Sequence, residues 1–317
     1  MKKTDLIVVG ELNMDLIFNS IVGFPKIGTE IVADSFEQVL GSSSAIMASN
    51  AAALGLKTNF VGVVGNDGFG NNIIKELEQR GVGVDFIKKS EQLKTGITVV
   101  MNYGEDRANI TYCGAMEALR SSDIPWEQLS AHRHFHLSNF FMQKGIQSEV
   151  PGIFKKAKQL GLTTSLDLQW DPTNRWQFDY ISCLPHVDIF MPNEAEIIAL
   201  TGEPDLSSAI EKVLPHCQTL VIKMGNKGSW GITQEQLIKV AAYTNEKYVD
   251  SIGAGDSFNS GFIQAFLKGS SLRECLSNGN LIGAISTSAA GGTGAFSDQK
   301  QFEETKNRII DSSLKSD

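Results

Sequence analysis

The chain has 317 residues, 42% of them apolar, with a formal charge of −8: enough apolar material for a large core, and too acidic for a nucleic-acid surface, which would carry a basic patch. Four cysteines, Cys113, Cys183, Cys217 and Cys275, lie far apart with no Cys-x-x-Cys, a usage that suits a reducing cytosol better than a disulfide framework. The opening MKKTDLIVVGELNMDLIF is broken by Asp5, Glu11 and Asp15, and no apolar run approaches membrane-spanning length, so no secretory leader or membrane anchor is expected and a cytoplasmic location is.

In chain order, strand-like runs fall at 5–10, 58–65, 132–138, 162–168, 187–193 and 219–225, and helical patterns at 70–81, 149–161 and 193–202. Strand–helix alternation of this kind implies an α/β fold with a mainly parallel central sheet covered on both faces. Residues 12–40 and 94–114 break the pattern: they read as strands and a hairpin around YGEDR, without helices between them. They are expected to form a small antiparallel extension, a β-sheet lid over the main sheet. With no repeat, low-complexity tract or Pro-rich linker, residues 1–317 are expected to be a single domain carrying that lid.

Candidate chemistry is concentrated late in the chain. In VDSIGAGDSFNSGFIQAFLKG (249–269), Phe258, Phe262, Ala265 and Phe266 share one helical face and Gly269 supplies a stop. The turn Gly253-Ala254-Gly255 then presents backbone N–H groups at the positive end of a helix dipole, a ready phosphate site. Asp256 stands directly behind it, either as an ordinary first-turn acid or as a group with chemical work beside a phosphate. No Gly-Lys dipeptide occurs, which excludes a Walker A loop, and GNDGFG (65–70) lacks the spacing of a dinucleotide fingerprint. KMGNKGSW (223–230) follows a strand with two glycines where backbone could approach a ligand. NGNLIGAISTSAAGGTGA (278–295) reads as a small-residue helix ending in glycines, suited to a nucleotide or merely to tight packing. In PNEAEI (192–197), Asn193 and Glu196 share a helical face, as oxygen ligands for Mg²⁺ or as a helix cap. His132, His134 and His136 alternate on one strand face; with no fourth ligand, packing or hydrogen bonding is preferred over zinc.

DSIGAGDSFNSGF resembles the D-T-x-G-A-G-D-x-F-x-x-G signature of the PfkB, or ribokinase-like, family of carbohydrate and nucleoside kinases. The likeness runs along almost the whole chain. GELNMDLI resembles the family's opening strand, VGVVGNDGFG its V-G-x-V-G-x-D-x-F-G, and TG (95–96) and GAM (114–116) its lid positions. DLQWDPTNRW resembles D-x-N-x-R-x-x-x-W with looser spacing, PNEAEIIALTG the N-E-x-E helix, and IKMGNKGSWG the nucleotide loop. The resemblance implies a three-layer ribokinase-like fold and transfer of phosphate from ATP, with Mg²⁺, to a hydroxyl of a sugar or related small molecule. By the same resemblance Asp256 is the catalytic base and Gly253, Ala254 and Gly255 form the anion hole. Asn193 and Glu196 belong to the metal-water shell, Lys223, Gly225 and Gly228 to the nucleotide loop, and Asn280 to the adenine region. Asn13 and Asp15 hold substrate hydroxyls, and Asp250 lies in a segment that binds an activating monovalent cation such as K⁺ in many members.

Two departures bear on specificity. The sugar signature Gly-Gly-x-x-x-Asn-x-Ala appears as Gly41, Ser42 and Ala48 with Ile46 at the Asn position, so the pocket exchanges a discriminating amide for an apolar wall. Asn50 would substitute only if the register shifted by a turn. Lys223 replaces the usual Thr and either adds a cationic contact to phosphate or reaches solvent. A carbohydrate kinase is therefore expected, with nucleoside or inositol kinase as the alternative within the class and a catalytically decayed sugar-binding regulator as the alternative outside it. A lid sheet with an open edge pairs readily with a second copy, so a homodimer through the lid is expected, without nucleic-acid or membrane partners.

Overall fold

The computed structural model describes residues 4–103 and 106–314. Its strands are β1 (Thr4–Val9), β2 (Asn13–Asn19), β3 (Ser35–Leu40), β4 (Thr58–Gly65), β5 (Val82–Ser90), β6 (Gly96–Tyr103), β7 (Asp106–Tyr112), β8 (His132–Ser138), β9 (Thr163–Asp167), β10 (Ile189–Phe190), β11 (Thr219–Lys223), β12 (Ser229–Ile232) and β13 (Leu237–Val240). The helices are α1 (Ser43–Ala53), α2 (Gly68–Gln79), α3 (Trp126–Leu129), α4 (Val150–Gln159), α5 (Tyr180–Cys183), α6 (Glu194–Thr201), α7 (Leu206–Val213), α8 (Ala254–Leu267), α9 (Leu272–Ser286) and α10 (Gln299–Leu314).

Among the described residues the strands form two sheets. The larger runs β13-β12-β11-β10-β9-β8-β1-β4-β5 and the smaller β3-β2-β6-β7. In the larger sheet every pair from β11 to β5 is parallel, and only the β11–β12 and β12–β13 pairs are antiparallel. Successive residues of β1 face opposite layers: Ile7 and Val9 pack with Phe135 and Phe154, whereas Leu6 and Val8 pack with Met47, Phe262 and Leu276. The resulting near-continuous apolar strands are those of a parallel sheet buried on both faces, with α4, α6 and α7 in one layer and α1, α2, α8 and α9 in the other. Chain order reverses between β1 and β8. In open α/β sheets, ligands bind at such a switch point, outside the carboxyl ends of the strands.

The smaller sheet corrects one expectation. Its β6–β7 hairpin is antiparallel, as is the β2–β3 pair, but β2 pairs with β6 in parallel, Asn13 opposite Gly96. The sheet is mixed because β2 and β6 are joined by a long path through β3, α1, β4, α2 and β5, and a connection of that length allows same-direction pairing. Residues Gly104 and Glu105 of the hairpin lie outside the described residues. The run 187–193 also pairs less than expected: its strand is only Ile189–Phe190, with one further parallel bridge from Asn193 to Lys223.

Candidate active site

The carboxyl ends of the parallel strands converge on the amino end of α8. Gly253 caps that helix in the left-handed region, φ 70°, with no side chain capping it. A Cβ there would stand 2.6 Å from Gly292 Cα and 3.0 Å from Ile46 Cγ2, so conformation and contact both demand glycine. The Ala254 N–H donates to the Ser251 carbonyl at 3.2 Å, which leaves the Gly253 and Gly255 amides to carry the anion-hole expectation. Gly269 at φ 82° closes the helix.

Two cavities of about 400 Å³ each meet at this turn, with Ser251 lining both. The first, under the small sheet, is lined by Asn13, Asp15, Ser42, Ile46, Gly253 and Asp256. Gly41 sits behind it: a Cβ there would fall 2.2 Å from Asp15 Oδ1, and its absence makes room for the Asn13–Asp15 pair, where the Asn13 amide donates to Asp15 Oδ1 at 2.6 Å. Ser42 caps α1, accepting from the Ala45 N–H and donating to the Glu11 carbonyl. Ile46 is 4% exposed and closes the cavity with an apolar wall. Asn50 is turned away, its amide donating to Ser257 Oγ and the Gly292 carbonyl.

The second cavity is lined by Lys223, Gly225, Gly228, Gly255 and Asn280. Gly228 has φ 95°, and a Cβ there would collide with the Val240 carbonyl. The Asn280 amide donates to the Val240 and Ala241 carbonyls, tying α9 to the same loop.

Asn193 and Glu196 form a reciprocal capping box on α6, the Glu196 N–H donating to Asn193 Oδ1 at 2.9 Å and the Asn193 N–H to Glu196 Oε2 at 2.8 Å. The cap and the buried acid are one structure: Glu196 is 4% exposed, and burial, with Asp167 adding to it and Lys223 opposing, raises its carboxyl to about 7. Among the described residues no group of three or more His, Cys, Asp or Glu is placed to hold a metal directly. With one Glu196 oxygen and the Asn193 oxygen taken by backbone, the donors suit an ion held mainly by waters and phosphates, the habit of Mg²⁺. Asp250 accepts from the Ile252 N–H at 2.8 Å and the Gly291 N–H at 2.9 Å, joining its loop to the glycine-rich segment.

Asp256 is 6% exposed and accepts from Gln169 Nε2 at 2.9 Å. Burial pushes its carboxyl well above the ordinary range; Asp167 adds to the effect and the Lys223 ammonium opposes it. Lys223 is turned mostly inward, its side chain 12% exposed. It forms a 2.5 Å ion pair with Asp167, which also accepts from Asn259 and Gln169.

Sequence reasoning assigned no role to Asp167, Gln169, Asn139 or Glu11. Asp167 and Gln169 sit in the DLQW segment, and Gln169 adopts φ 60°, a backbone strain found at sites where a side chain must be aimed. Glu11 is wholly buried; burial raises its carboxyl, against hydrogen bonds from Ser44 and Asn139. Its only sequence signal was a charge directly after an apolar strand. The three histidines are structural: His134 and His136 both bond to Ser165 Oγ at 2.7 Å, and His132 to Asn59 and the Gln128 carbonyl. Burial lowers His136 to about 4 and His134 well below its usual value, so both stay neutral near pH 7.

Helix layers on both faces of a mainly parallel sheet, with a small second sheet beside it, make the ribokinase-like fold, and two cavities lie at its switch point. The model of the pfkB family carbohydrate kinases matches residues 3–299. The chain belongs to that family and is a carbohydrate kinase. It is 26% identical over 310 residues to a deoxyribokinase from Salmonella typhi, covering 95% of this chain and 98% of that protein. The structure of Arabidopsis thaliana ribokinase complexed with ribose and ATP superposes with a TM-score of 0.82 at 27% identity, over 96% of this chain and 98% of that one. An E. coli chain in complex with ATP and Mg²⁺ shares the fold, with a TM-score of 0.79 at 23% identity over 96% and 99% of the two chains. Among the described residues no helix is long and apolar enough to cross a membrane.

Proposed function

We propose that this kinase transfers the terminal phosphoryl group of ATP to a hydroxyl of a sugar or sugar derivative, with Asp256 as the base. The observation that carries the reading is the meeting of two cavities at the α8 turn, with Asp256 facing one and Gly255, Gly225 and Gly228 facing the other. An acceptor in the first and a nucleotide in the second would place hydroxyl and phosphate on either side of the turn, and phosphoryl transfer depends chiefly on such positioning. Asn13 and Asp15 would hold acceptor hydroxyls. Asp256, whose carboxyl burial raises well above its ordinary value, is a stronger proton acceptor than an exposed carboxylate and would take the hydroxyl proton as attack proceeds. The Gly253 and Gly255 amides would meet the developing charge without reorganising. Mg²⁺, held through water by Asn193 and Glu196, would supply charge neutralisation on the phosphates. Asp250 would order its loop around a monovalent cation such as K⁺.

The small sheet serves in this reading as a lid that closes over the acceptor and excludes water, within a single domain located in the cytoplasm. Its outer face supports pairing with a second copy: Phe36, Ile110 and Tyr112 are more than half exposed there.

Turnover of ATP with a panel of sugars, polyols and nucleosides tests the reading. A sugar or sugar derivative should be the best acceptor. A nucleoside or inositol as best acceptor would move the enzyme to that branch of the family, and no turnover with any acceptor would point to a sugar-binding regulator. Ile46 should exclude ribose from first place, because no amide there discriminates its hydroxyls; a kcat/KM for ribose within a few-fold of the best would remove Ile46 from the specificity argument.

A further inference from the structure

Lys223, at the end of β11, has a side chain only 12% exposed and paired with Asp167 at 2.5 Å. Among the described residues it is the one cationic side chain lining either cavity. Its Nζ stands 3.7 Å from where a Cβ on Gly255 would be, on the nucleotide side of the α8 turn. A buried ion pair is seldom more stabilising than apolar side chains of similar volume, so scaffolding alone is a weak reason for a lysine there.

We propose that Lys223 is a catalytic residue: without nucleotide its ammonium rests on Asp167, and with nucleotide bound it donates to the phosphoryl group in transit at the Gly253–Gly255 turn. Asp167 is its positioning residue. The inference rests on the kinase reading above and adds a component to it. A phosphoryl group arriving at this turn meets carboxylates at Asp256, Asp167 and Glu196, and a fixed cation within reach offsets that repulsion. The exchange does not strand Asp167, whose Oδ2 also accepts from Asn259 Nδ2 at 2.6 Å and Gln169 Nε2 at 3.1 Å. A threonine, usual at this position in the resemblance, carries no charge and is too short to span the same distance. In the transfer itself, the acceptor oxygen bonds to phosphorus as the bond to the bridging oxygen of the departing ADP breaks. The acceptor proton passes to Asp256. Lys223 keeps its protons and contributes a charge-assisted hydrogen bond.

The test is calorimetric binding of a non-hydrolysable ATP analogue and of ADP, each with Mg²⁺, to the wild type, to Lys223→Met, and to Lys223→Met combined with Asp167→Asn. The double variant removes the stranded buried charge, should the single variant fail to fold. The analogue should bind both variants about tenfold or more weakly, with ADP within about twofold, and kcat with the best acceptor should fall by roughly 10²–10³. An unchanged ratio of analogue to ADP affinity in the folded variant overturns the proposal, whatever happens to kcat, because the lysine then serves the nucleotide loop or the scaffold. Should the wild-type protein bind neither nucleotide, the kinase reading fails and this inference falls with it; a changed ratio without that failure leaves both standing.

Discussion

The two sheets of this chain bury their faces differently. In the larger sheet the central strands are dry on both faces, with β1 split between two apolar layers, and its chemistry is confined to the strand ends. In the smaller sheet one face is polar and lines the first cavity through Asn13, Asp15, Thr98 and Thr111. The opposite face is apolar: Phe18 packs on Phe36 with ring centroids 5.3 Å apart, and Ile110 and Tyr112 stand open. A sheet with a wet cavity on one side and no second layer over much of the other holds few of the contacts that make an element rigid. In the proposed reading the larger sheet would serve as the platform and the smaller one as the part that moves.

Truncation in the two sheets should separate them most clearly. Phe135 is fully buried in β8 and meets Phe154 edge-on, with centroids 5.4 Å apart. Phe135→Ala should cost about 3–5 kcal/mol of stability by denaturant unfolding. A cost near 1 kcal/mol would show that this layer is far more plastic than its packing implies.

A smaller effect is expected at the α8 turn, where platform and lid meet. Asp256 holds its proton more tightly in the folded chain than an exposed carboxyl does, so the stability it lends is present at low pH and lost as pH rises through its raised value. Asp256→Asn never takes on that buried charge. Its melting temperature should match the wild type near pH 4 and exceed it by about 2–4 °C at pH 8. A gain that shrinks with rising pH would contradict the buried-charge account.

The smallest change in monomer stability belongs to the open face of the lid. Phe36→Ser with Ile110→Ser should move the melting temperature of dilute protein little, since exposed substitutions usually stay within about 0.5 kcal/mol each. Sedimentation at higher concentration should nevertheless shift from dimer to monomer. A wild type that sediments as a monomer throughout removes the second copy from this face.

The same contrast governs how much could be read from residues alone. The larger sheet was legible because strands buried on both faces leave unbroken apolar runs, such as TNFVGVVG for β4. The α8 turn was legible because glycine at positive φ and an acid in the first turn have local causes. The parallel β2–β6 pairing was not, because its partners are far apart in sequence and pairing direction leaves no mark in either strand. Glu11 read as a charge interrupting the opening segment and Asp167 as a motif position without a role, since their burial arises only when β1, β9 and α8 come together. Lys223 was read as open between phosphate and solvent, and the Asp167 carboxylate that draws it inward lies 56 positions away.

The assignment of Asp256 as base is tested most directly by kcat for Asp256→Asn with the best acceptor, measured alongside nucleotide affinity. Asparagine keeps the size and much of the hydrogen bonding but cannot serve as an effective proton acceptor. Turnover should fall by roughly 10²–10⁴, while affinity for a non-hydrolysable ATP analogue stays level or rises slightly, a negative charge near the terminal phosphate having been removed. A variant that keeps more than about a tenth of wild-type kcat, with chemistry shown to limit the rate, would contradict the account and leave the α8 turn a phosphate site without a general base.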